Sequence, residues 1–173
     1  NPEEFILKAA RLINDEKATQ IIEHITYNRL DAAYDQDVFT RATLRGKLDV
    51  NAMEANRSLY SHVIYDSDNE RRFAQELDVS DQVAVYVKLP GSFYISTPVG
   101  KYNPDWAIAF NEGSVKHIYF VAETKGNLDT MELRGAENAK IECAKKHFAA
   151  ISNGSVVYSV VDNYSTLMQL VSN

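Results

Sequence analysis

The stretch "YNPDWAIAFNEGSVKHIYFVAETKG", residues 102–126, contains two short apolar runs separated by a polar segment. Apolar runs of this length, bounded by Asn, Pro and Gly, predict two β-strands joined by the loop "NEGSVK", residues 111–116. Asp105 stands at the start of the first run, and Glu123 and Lys125 stand at the end of the second. Charged side chains at the ends of buried strands are costly unless they are compensated. The reason for their presence here therefore bears on function.

The spacing of these charges predicts that two of them meet across the hairpin. Side chains alternate between the faces of a strand, so Glu123 and Lys125 point to one side and Thr124 to the other. If the loop is centred near Gly113–Ser114, paired residue numbers sum to about 227–228, and Asp105 lies opposite or nearly opposite Glu123. Directly opposed residues have Cβ atoms about 4.5–5.5 Å apart, and like charges there are destabilising.

The repulsion between two such acids is large enough to require compensation. Two unit charges about 5 Å apart at an effective dielectric constant of about 20 repel by roughly 3 kcal/mol. A small domain has only about 5–15 kcal/mol of stability in total. Lys125 supplies one positive charge, and a divalent cation held by Asp105 and Glu123 would supply two. The alternative is a slipped register, with both acids in solvent and Lys125 an ordinary surface lysine.

The rest of the chain predicts a mixed α/β fold in one domain of residues 1–173, with a helical N-terminal part at 1–62 and a core at 63–173 that holds the sheet. Residues 1–30 predict one helix, or two with a break near Asn14–Asp15, and a further helix is predicted around Asn51–His62. The other predicted elements are helices in "SDNERRFAQELD" (67–78), "MELRGAENAKIECAKKHFAAI" (131–151) and "STLMQLV" (165–171), and strands in "QVAVYVKLP" (82–90), "SFYIST" (92–97) and "SVVYSVV" (155–161).

Composition sets the broad class of the protein. With 45% hydrophobic and 24% charged residues, the chain is typical of a globular domain, and its net charge of −6 disfavours a free-standing nucleic-acid binder. This net charge does not exclude a catalytic domain whose DNA affinity comes from other parts of a larger protein. No apolar run approaches the length of a membrane span, no signal peptide is visible, and the single Cys143 fits a reducing compartment. We therefore expect a cytoplasmic protein without membrane contact, and Asn1 in place of Met suggests an excised domain.

The quoted charges resemble a known nuclease signature. Asp105 after a proline, followed by Glu123-Thr124-Lys125 on a neighbouring strand, is similar to the PD-(D/E)xK motif. The sequence around this motif resembles the C-terminal endonuclease domain of type III restriction enzymes, in the Res (restriction and helicase) subunit. The segments that carry this resemblance are "NERRFAQEL" (69–77), "VKLPGSFYISTPVGKYNPDWAIAF" (87–110), "YFVAETKG" (119–126) and "AENAKIECAKKHF" (136–148), with a looser match in the opening helical segment.

The resemblance implies a restriction-endonuclease-like mixed β-sheet flanked by helices, and Mg²⁺-dependent hydrolysis of DNA phosphodiesters, with Mn²⁺ able to substitute. Asp105 and Glu123 map to the metal ligands and Lys125 to the motif lysine, with the backbone carbonyl of Thr124 as a plausible third ligand. The implied partners are double-stranded DNA, a helicase/ATPase region of the same full-length subunit and a modification methyltransferase subunit. No P-loop motif occurs in this chain, so the ATPase motor lies outside it.

Glu70 is the fourth candidate for the catalytic and metal-binding site. Its structural explanation is an S-x-x-E capping box with Ser67. However, Glu70 precedes Phe73 and Leu77 by three and seven residues, which predicts that it lies on the core-facing side of its helix. Nucleases with this motif often take an extra metal ligand from a preceding helix.

Four other charged residues are weaker candidates. Glu137 and Lys140 begin the long helix and would reach the active-site end of the sheet, or else form a solvated helix edge. Lys88 and Lys101 would contact DNA phosphates, although we interpret both as solvent-facing lysines.

Two further patterns are interpreted as structural. Cys143 and His147 are four residues apart on one helix face, but two ligands do not make a zinc site. Trp106 is predicted to lie in the core, on the face opposite to Asp105.

Two functions compete with a restriction nuclease. One is a catalytically inactive nuclease-fold module that docks DNA or a partner subunit, which the intact motif disfavours. The other is a repair nuclease. The long stretch of sequence that resembles type III restriction enzymes disfavours it.

Overall fold

The computed structural model describes residues 1–29, 37–40, 47–48, 50–98, 100–111, 119–124, 135–152 and 155–172, and for 119–124 it describes the backbone. The helices in this part of the chain are α1 (Pro2–His24), α2 (Asp37–Thr40), α3 (Asp68–Val79), α4 (Gly135–Ile151) and α5 (Tyr164–Ser172). The strands are β1 (Ala52–Glu54), β2 (His62–Ile64), β3 (Val83–Lys88), β4 (Ile95–Thr97), β5 (Gly100–Tyr102), β6 (Trp106–Phe110), β7 (Tyr119–Thr124) and β8 (Val156–Val161).

The centre of the fold is a four-stranded mixed sheet in the order β3-β6-β7-β8. Strand β6 is antiparallel to both β3 and β7, whereas β8 runs parallel to β7. A parallel neighbour requires a crossover connection, and α4 lies in the chain between β7 and β8. Strands β1–β2 and β4–β5 form two small antiparallel pairs. The predicted mixed α/β class is confirmed.

The two faces of this sheet pack against different helices. Strict alternation in β6 buries Trp106, Ile108 and Phe110 on one face, where they join a core with residues of α3 and α5. The other face, which includes Ala107, packs on α4. The main α3 and α5 residues of the first core are Phe73, Ala74, Leu77, Leu167 and Val171. The α4 residues of the second core are Ile141, Ala144 and Phe148.

The helix predicted around Asn51–His62 is wrong, because this segment forms the β1–β2 hairpin. The hairpin is fastened to β3 by two backbone hydrogen bonds, from the Leu59 amide to the Tyr86 carbonyl (2.8 Å) and from the Tyr86 amide to the Arg57 carbonyl (3.1 Å). The edge of β3 would otherwise leave these groups without a protein partner. Tertiary hydrogen bonding therefore overrides local helix propensity here, and the sheet-forming part of the chain begins before residue 63.

Helix α1 is continuous, which decides between the one-helix and two-helix interpretations. The Asn1 side chain caps it as predicted, by accepting a hydrogen bond from the Glu3 amide (3.2 Å). Its C-terminal end packs on α4, where Lys146 donates to the carbonyls of Ile22 (2.5 Å) and Glu23 (3.3 Å). A cation at the carbonyl end of a helix is favoured by the helix dipole. The large apolar residues Phe5, Ile6, Leu7, Leu12, Ile13 and Ile21 of α1 are exposed.

The remaining elements follow the prediction with shifted ends. The strand predicted over 92–97 covers only β4 and pairs with β5, a short strand that the sequence did not predict. Gly100 at the start of β5 has φ = 113°, a conformation that favours glycine. Helix α4 begins at Gly135, and residues 131–134 of the predicted helix lie outside the described ranges. Within those ranges, none of the helices has the length and apolar composition needed to cross a bilayer.

Candidate active site

The β6–β7 register sets the position of the two motif acids. The described pairs run from Trp106↔Ala122 to Ala109↔Tyr119, and in every pair the residue numbers sum to 228. The Leu89 amide donates to the Asp105 carbonyl at 2.7 Å, so the β3–β6 ladder continues one residue beyond the start of β6. The same register, continued by one residue, brings the Asp105 backbone opposite that of Glu123. The predicted register is confirmed.

The two motif acids and the motif lysine differ in how far the structure describes them. Asp105 is half-buried. Because Ala107 packs on the α4 face and side chains alternate, Asp105 belongs to that same face. The backbone of Glu123 pairs with Val160 in β8. Lys125 lies outside the described residues, so its predicted position beside the acids stays a prediction.

Glu70 lies in the first turn of α3, and its side chain is only 13% exposed. The hydroxyl of Ser67 accepts a hydrogen bond from the Glu70 amide (3.2 Å), which is the predicted N-cap. The Glu70 carboxylate does not complete a capping box with the Ser67 amide. Its Oε2 atom instead accepts from the Asp66 amide at 2.7 Å and from Lys88 Nζ at 2.6 Å. The Glu70 amide thus takes part in the helix cap, whereas its carboxylate contacts the chain before the helix and strand β3.

Lys88 ends strand β3 and is 19% exposed, so its interpretation as a solvent-facing lysine is wrong. Its ammonium group lies between Glu70 Oε2 (2.6 Å) and Asp66 Oδ2 (2.8 Å). Burial disfavours the charged ammonium, but its hydrogen bonds to Asp66 and Glu70 outweigh burial and raise the pKa of Lys88 above its ordinary value. Lys88 is therefore a charged member of an internal ion-pair cluster.

The cluster of Asp66, Glu70 and Lys88 lies at the same end of the sheet as Asp105, because Lys88 pairs with Trp106 in the β3–β6 register. It belongs to the opposite face, since Tyr86, two residues before Lys88, packs in the α3 core. Among the side chains that the structure describes, no group of three or more acids, histidines or cysteines converges on a possible metal position. The described side chains thus bring Glu70 to Lys88 rather than to Asp105.

The other charged candidates are placed as follows. Glu137 is exposed at the start of α4, although Ile141 further along that helix is buried. Lys140 is half-buried, and its Cε atom lies beside Gly100, 3.9 Å from the point where a Cβ would be. Lys101 stacks its ammonium 3.9 Å from the centre of the Tyr94 ring. The packing of Lys140 on β5 favours a structural role over a solvated helix edge.

A cavity of about 170 Å³ lies between the β1–β2 hairpin and the end of β3. The sequence prediction missed it, because one wall comes from the segment that was predicted as a helix. Its wall includes Leu89, whose amide donates to the Asp105 carbonyl. The wall also includes Tyr60, His62, Asp66, Lys88 and Pro90.

Cys143 and His147 have a structural role in the contact between α1 and α4, in agreement with the sequence interpretation. Cys143 is fully buried in a small cluster with Ile22, and burial raises the pKa of its thiol. The His147 ring packs edge-on against the Tyr27 ring with centroids 5.1 Å apart. Burial also lowers the pKa of His147. Both shifts favour uncharged side chains in a packed interface.

The comparison with known families identifies the chain. A family model described as an endonuclease domain matches residues 56–164, well over half of the chain. The chain belongs to this endonuclease-domain family. It is therefore a nuclease domain, and its mixed sheet is the predicted restriction-endonuclease-like fold. No curated protein and no solved structure matches it. The matched range contains Glu70, Lys88, Asp105 and Glu123, and it excludes α1.

Proposed function

We propose that this endonuclease domain hydrolyses DNA phosphodiesters with Mg²⁺, as the nuclease part of the Res subunit of a type III restriction enzyme. The observation that supports it most is the β6–β7 register, which runs to Trp106↔Ala122 and which, continued by one residue, would bring Asp105 opposite Glu123. Acids in this arrangement repel unless a cation lies between them.

The donor set fits Mg²⁺, which prefers hard oxygen ligands and keeps several waters. Asp105 and Glu123 would hold the ion through their carboxylates, with the Thr124 carbonyl as a third ligand. Glu70 is proposed as a further ligand from the resemblance alone, because the structure pairs its carboxylate with Lys88. When bound, the ion supplies polarisation of a phosphoryl oxygen and a more acidic bound water. Lys125 orients the attacking water or stabilises the negative charge that develops on the phosphate.

The proposed partners follow from the type III assignment. They are double-stranded DNA, a helicase/ATPase region of the same subunit and a separate modification methyltransferase subunit. The competing function is a catalytically inactive module that docks DNA or a partner. The intact set of Asp105, Glu123 and Lys125 disfavours it, because an inactive copy is expected to lose at least one of them.

The experiment measures Mg²⁺- or Mn²⁺-dependent DNA nicking by the complete restriction complex with Asp105→Ala or Lys125→Ala. We expect each change to lower the cleavage rate by about 100-fold or more, since each removes a charge at the reacting phosphate. Asp68→Ala is the matched control, because Asp68 is an exposed acid in the first turn of α3. Cleavage near the wild-type rate in either site variant would refute the proposed function.

A further inference from the structure

We propose that the N-terminal part of α1 is a dimerisation surface, and that its partner is the same helix of a second copy of this chain, in antiparallel orientation. This α1 surface comprises residues 3–17. The proposal goes beyond the nuclease chemistry and does not depend on it. Helix α1 also lies outside residues 56–164, the range that the endonuclease-domain family matches.

The first observation is the exposure of large apolar side chains on the α1 surface. Five of them are between 55% and 73% exposed: Phe5, Ile6, Leu7, Leu12 and Ile13. Near the other end of the helix, by contrast, Ile22 is buried against α4. The five side chains expose roughly 600 Å² of apolar surface, the upper limit of what a monomer ordinarily leaves uncovered. A surface of this size favours a protein partner.

The second observation is a palindrome in the sequence of this surface, which indicates which partner it fits. Residues 6–13 are "ILKAARLI", so the order Ile, Leu, basic residue, Ala is followed by its mirror image. When two copies of a helix pair antiparallel about a two-fold axis between Ala9 and Ala10, the numbers of facing residues sum to 19. Ile6 of one copy then faces Ile13 of the other. The surface is therefore complementary to itself.

The helical period places the central residues of the palindrome on one face. Ile6 and Ile13 are seven residues apart, which is close to two turns, and so they lie on the same side of α1. Ala9 lies between them, and small side chains at a crossing point let two helix axes approach closely. Glu4 and Lys8 form an ion pair of 2.8 Å on the opposite side of the helix. Large side chains on both sides of a small centre allow two antiparallel copies to interlock.

The third observation is charge complementarity at the ends of the surface. In the antiparallel pairing, Glu3 of one copy lies beside Lys17 of the other, and both side chains are exposed. Glu16 lies on the opposite flank, near the N-terminal end of the second helix, where the helix dipole favours an acid. Lys17 also lines a shallow groove of about 350 Å³ with Ile13 and Ile21, which the first turn of the second helix would cover. The two-fold axis repeats each of these contacts.

The available area is sufficient for a specific dimer. Covering roughly 600 Å² on each copy would bury about 1,200 Å² in total, the lower limit of specific protein–protein interfaces. Because the area is small and the two helices must be immobilised against each other, we expect a dissociation constant of about 10 μM.

Sedimentation equilibrium of the chain, at concentrations below and above this value, measures the dimer. Ile6→Glu and Ile13→Lys each bury an unpaired charge at the centre of the surface, and each is expected to weaken dimerisation at least about 100-fold. Val79→Lys is the matched control, since it places the same charge on a 79% exposed apolar residue at the end of α3. It should change the dissociation constant less than about twofold. Circular dichroism checks that each variant is folded.

The double variant Ile6→Glu/Ile13→Lys tests the orientation of the two helices. In the antiparallel dimer, the new acid of each copy faces the new lysine of the other, so dimerisation should recover to within about tenfold of wild type. In a parallel pair, like charges would face each other and no recovery is expected. A folded double variant that stays monomeric would overturn the proposal. So would a monomeric wild type, which would assign the surface to a different protein, or an association that Val79→Lys also abolishes.

Discussion

Helix α3 carries acids near both ends, and two of them, Glu70 and Asp78, are bound in different ways. At the C-terminal end, Asp78 Oδ1 accepts from the amides of Asn56 and Arg57 (both 2.8 Å) and from the Tyr86 hydroxyl (3.2 Å). Its Oδ2 accepts from the amide (3.1 Å) and side chain (3.2 Å) of Asn56. At the N-terminal end, the donors to Glu70 meet on Oε2 alone.

This difference separates an acid whose two oxygens both hold the fold from an acid that is bound through one oxygen in the described part of the chain. Asp78 fixes the β1–β2 hairpin with both oxygens and has no cationic side chain as its partner among the described residues. Glu70 pairs with the Lys88 ammonium at 2.6 Å. Burial and charge are similar for the two acids, so the distribution of donors is what tells them apart.

The largest effect is expected for Asp78→Ala, which leaves two backbone amides of the hairpin without their acceptor. Hydrogen bonds to a charged group contribute about 1.5–3 kcal/mol each, and the combined loss should lower the free energy of unfolding by about 3 kcal/mol. Urea denaturation measures it. Asp81→Ala is the control, since the Asp81 side chain is exposed and contacts only the Arg57 side chain among the described residues. Equal stability of the two variants would remove the distinction between the two ends of α3.

Glu70→Gln should show the opposite profile, with a modest loss of stability and a clear loss of metal binding. Removing an acid that supports a metal site typically costs 10-fold to 100-fold in affinity, and about tenfold is expected for Mn²⁺. Calorimetric titration of Glu70→Gln and of folded Asp78→Ala tests this directly. The comparison between the two acids breaks down if Asp78→Ala weakens Mn²⁺ binding as much as Glu70→Gln does.

Ser67→Ala removes the cap of α3 without touching the carboxylate of Glu70. Loss of an N-cap oxygen typically costs about 1 kcal/mol, and thermal or urea denaturation will show it. Ser67→Thr keeps the capping oxygen and should restore most of the stability. We expect Mn²⁺ affinity to change little, because the Asp66 amide and Lys88 still orient Glu70. A large loss of affinity would show that helix capping, rather than the ion pair, positions this acid.

The smallest effect concerns His147, whose buried Nδ1 atom has no hydrogen-bond partner in the described part of the chain. Burial lowers its pKa below the ordinary value of 6.5. The unfolded chain then binds the proton more readily, so stability should fall as the pH drops through about 6.5 towards the folded-state pKa. His147→Gln should flatten this part of the stability profile. An unchanged slope in His147→Gln would assign the pH dependence to other groups.

The sequence predicted those parts of the fold whose local patterns agree with their environment. The alternation in "WAIAF" (106–110) fixed both strand type and facing, so that Trp106 is fully buried and the register with β7 came out as expected. The same logic placed Glu70 on the core side of α3. Such agreement between local pattern and tertiary packing makes a prediction reliable.

The parts that the prediction missed depend on contacts between distant segments. Lys88 was interpreted as a surface lysine, because nothing in the sequence of β3 indicates its ion pairs. Its partners Glu70 and Asp66 lie 18 and 22 residues earlier in the chain. The β1–β2 hairpin was missed for a similar reason, since its backbone hydrogen bonds go to Tyr86 in β3. Hydrogen bonding to a distant strand edge leaves no periodic signal in the sequence.

The complete burial of Trp106 has a consequence for the way this family can vary. A shift of one residue between β6 and β7 would exchange the two faces of one strand relative to the other, and the facing of Trp106 in the α3–α5 core opposes such a shift. The burial of the Trp106 indole therefore helps to fix the register that relates Asp105 to Glu123. A smaller residue at 106 is therefore expected to weaken the packing that fixes the strand next to Asp105.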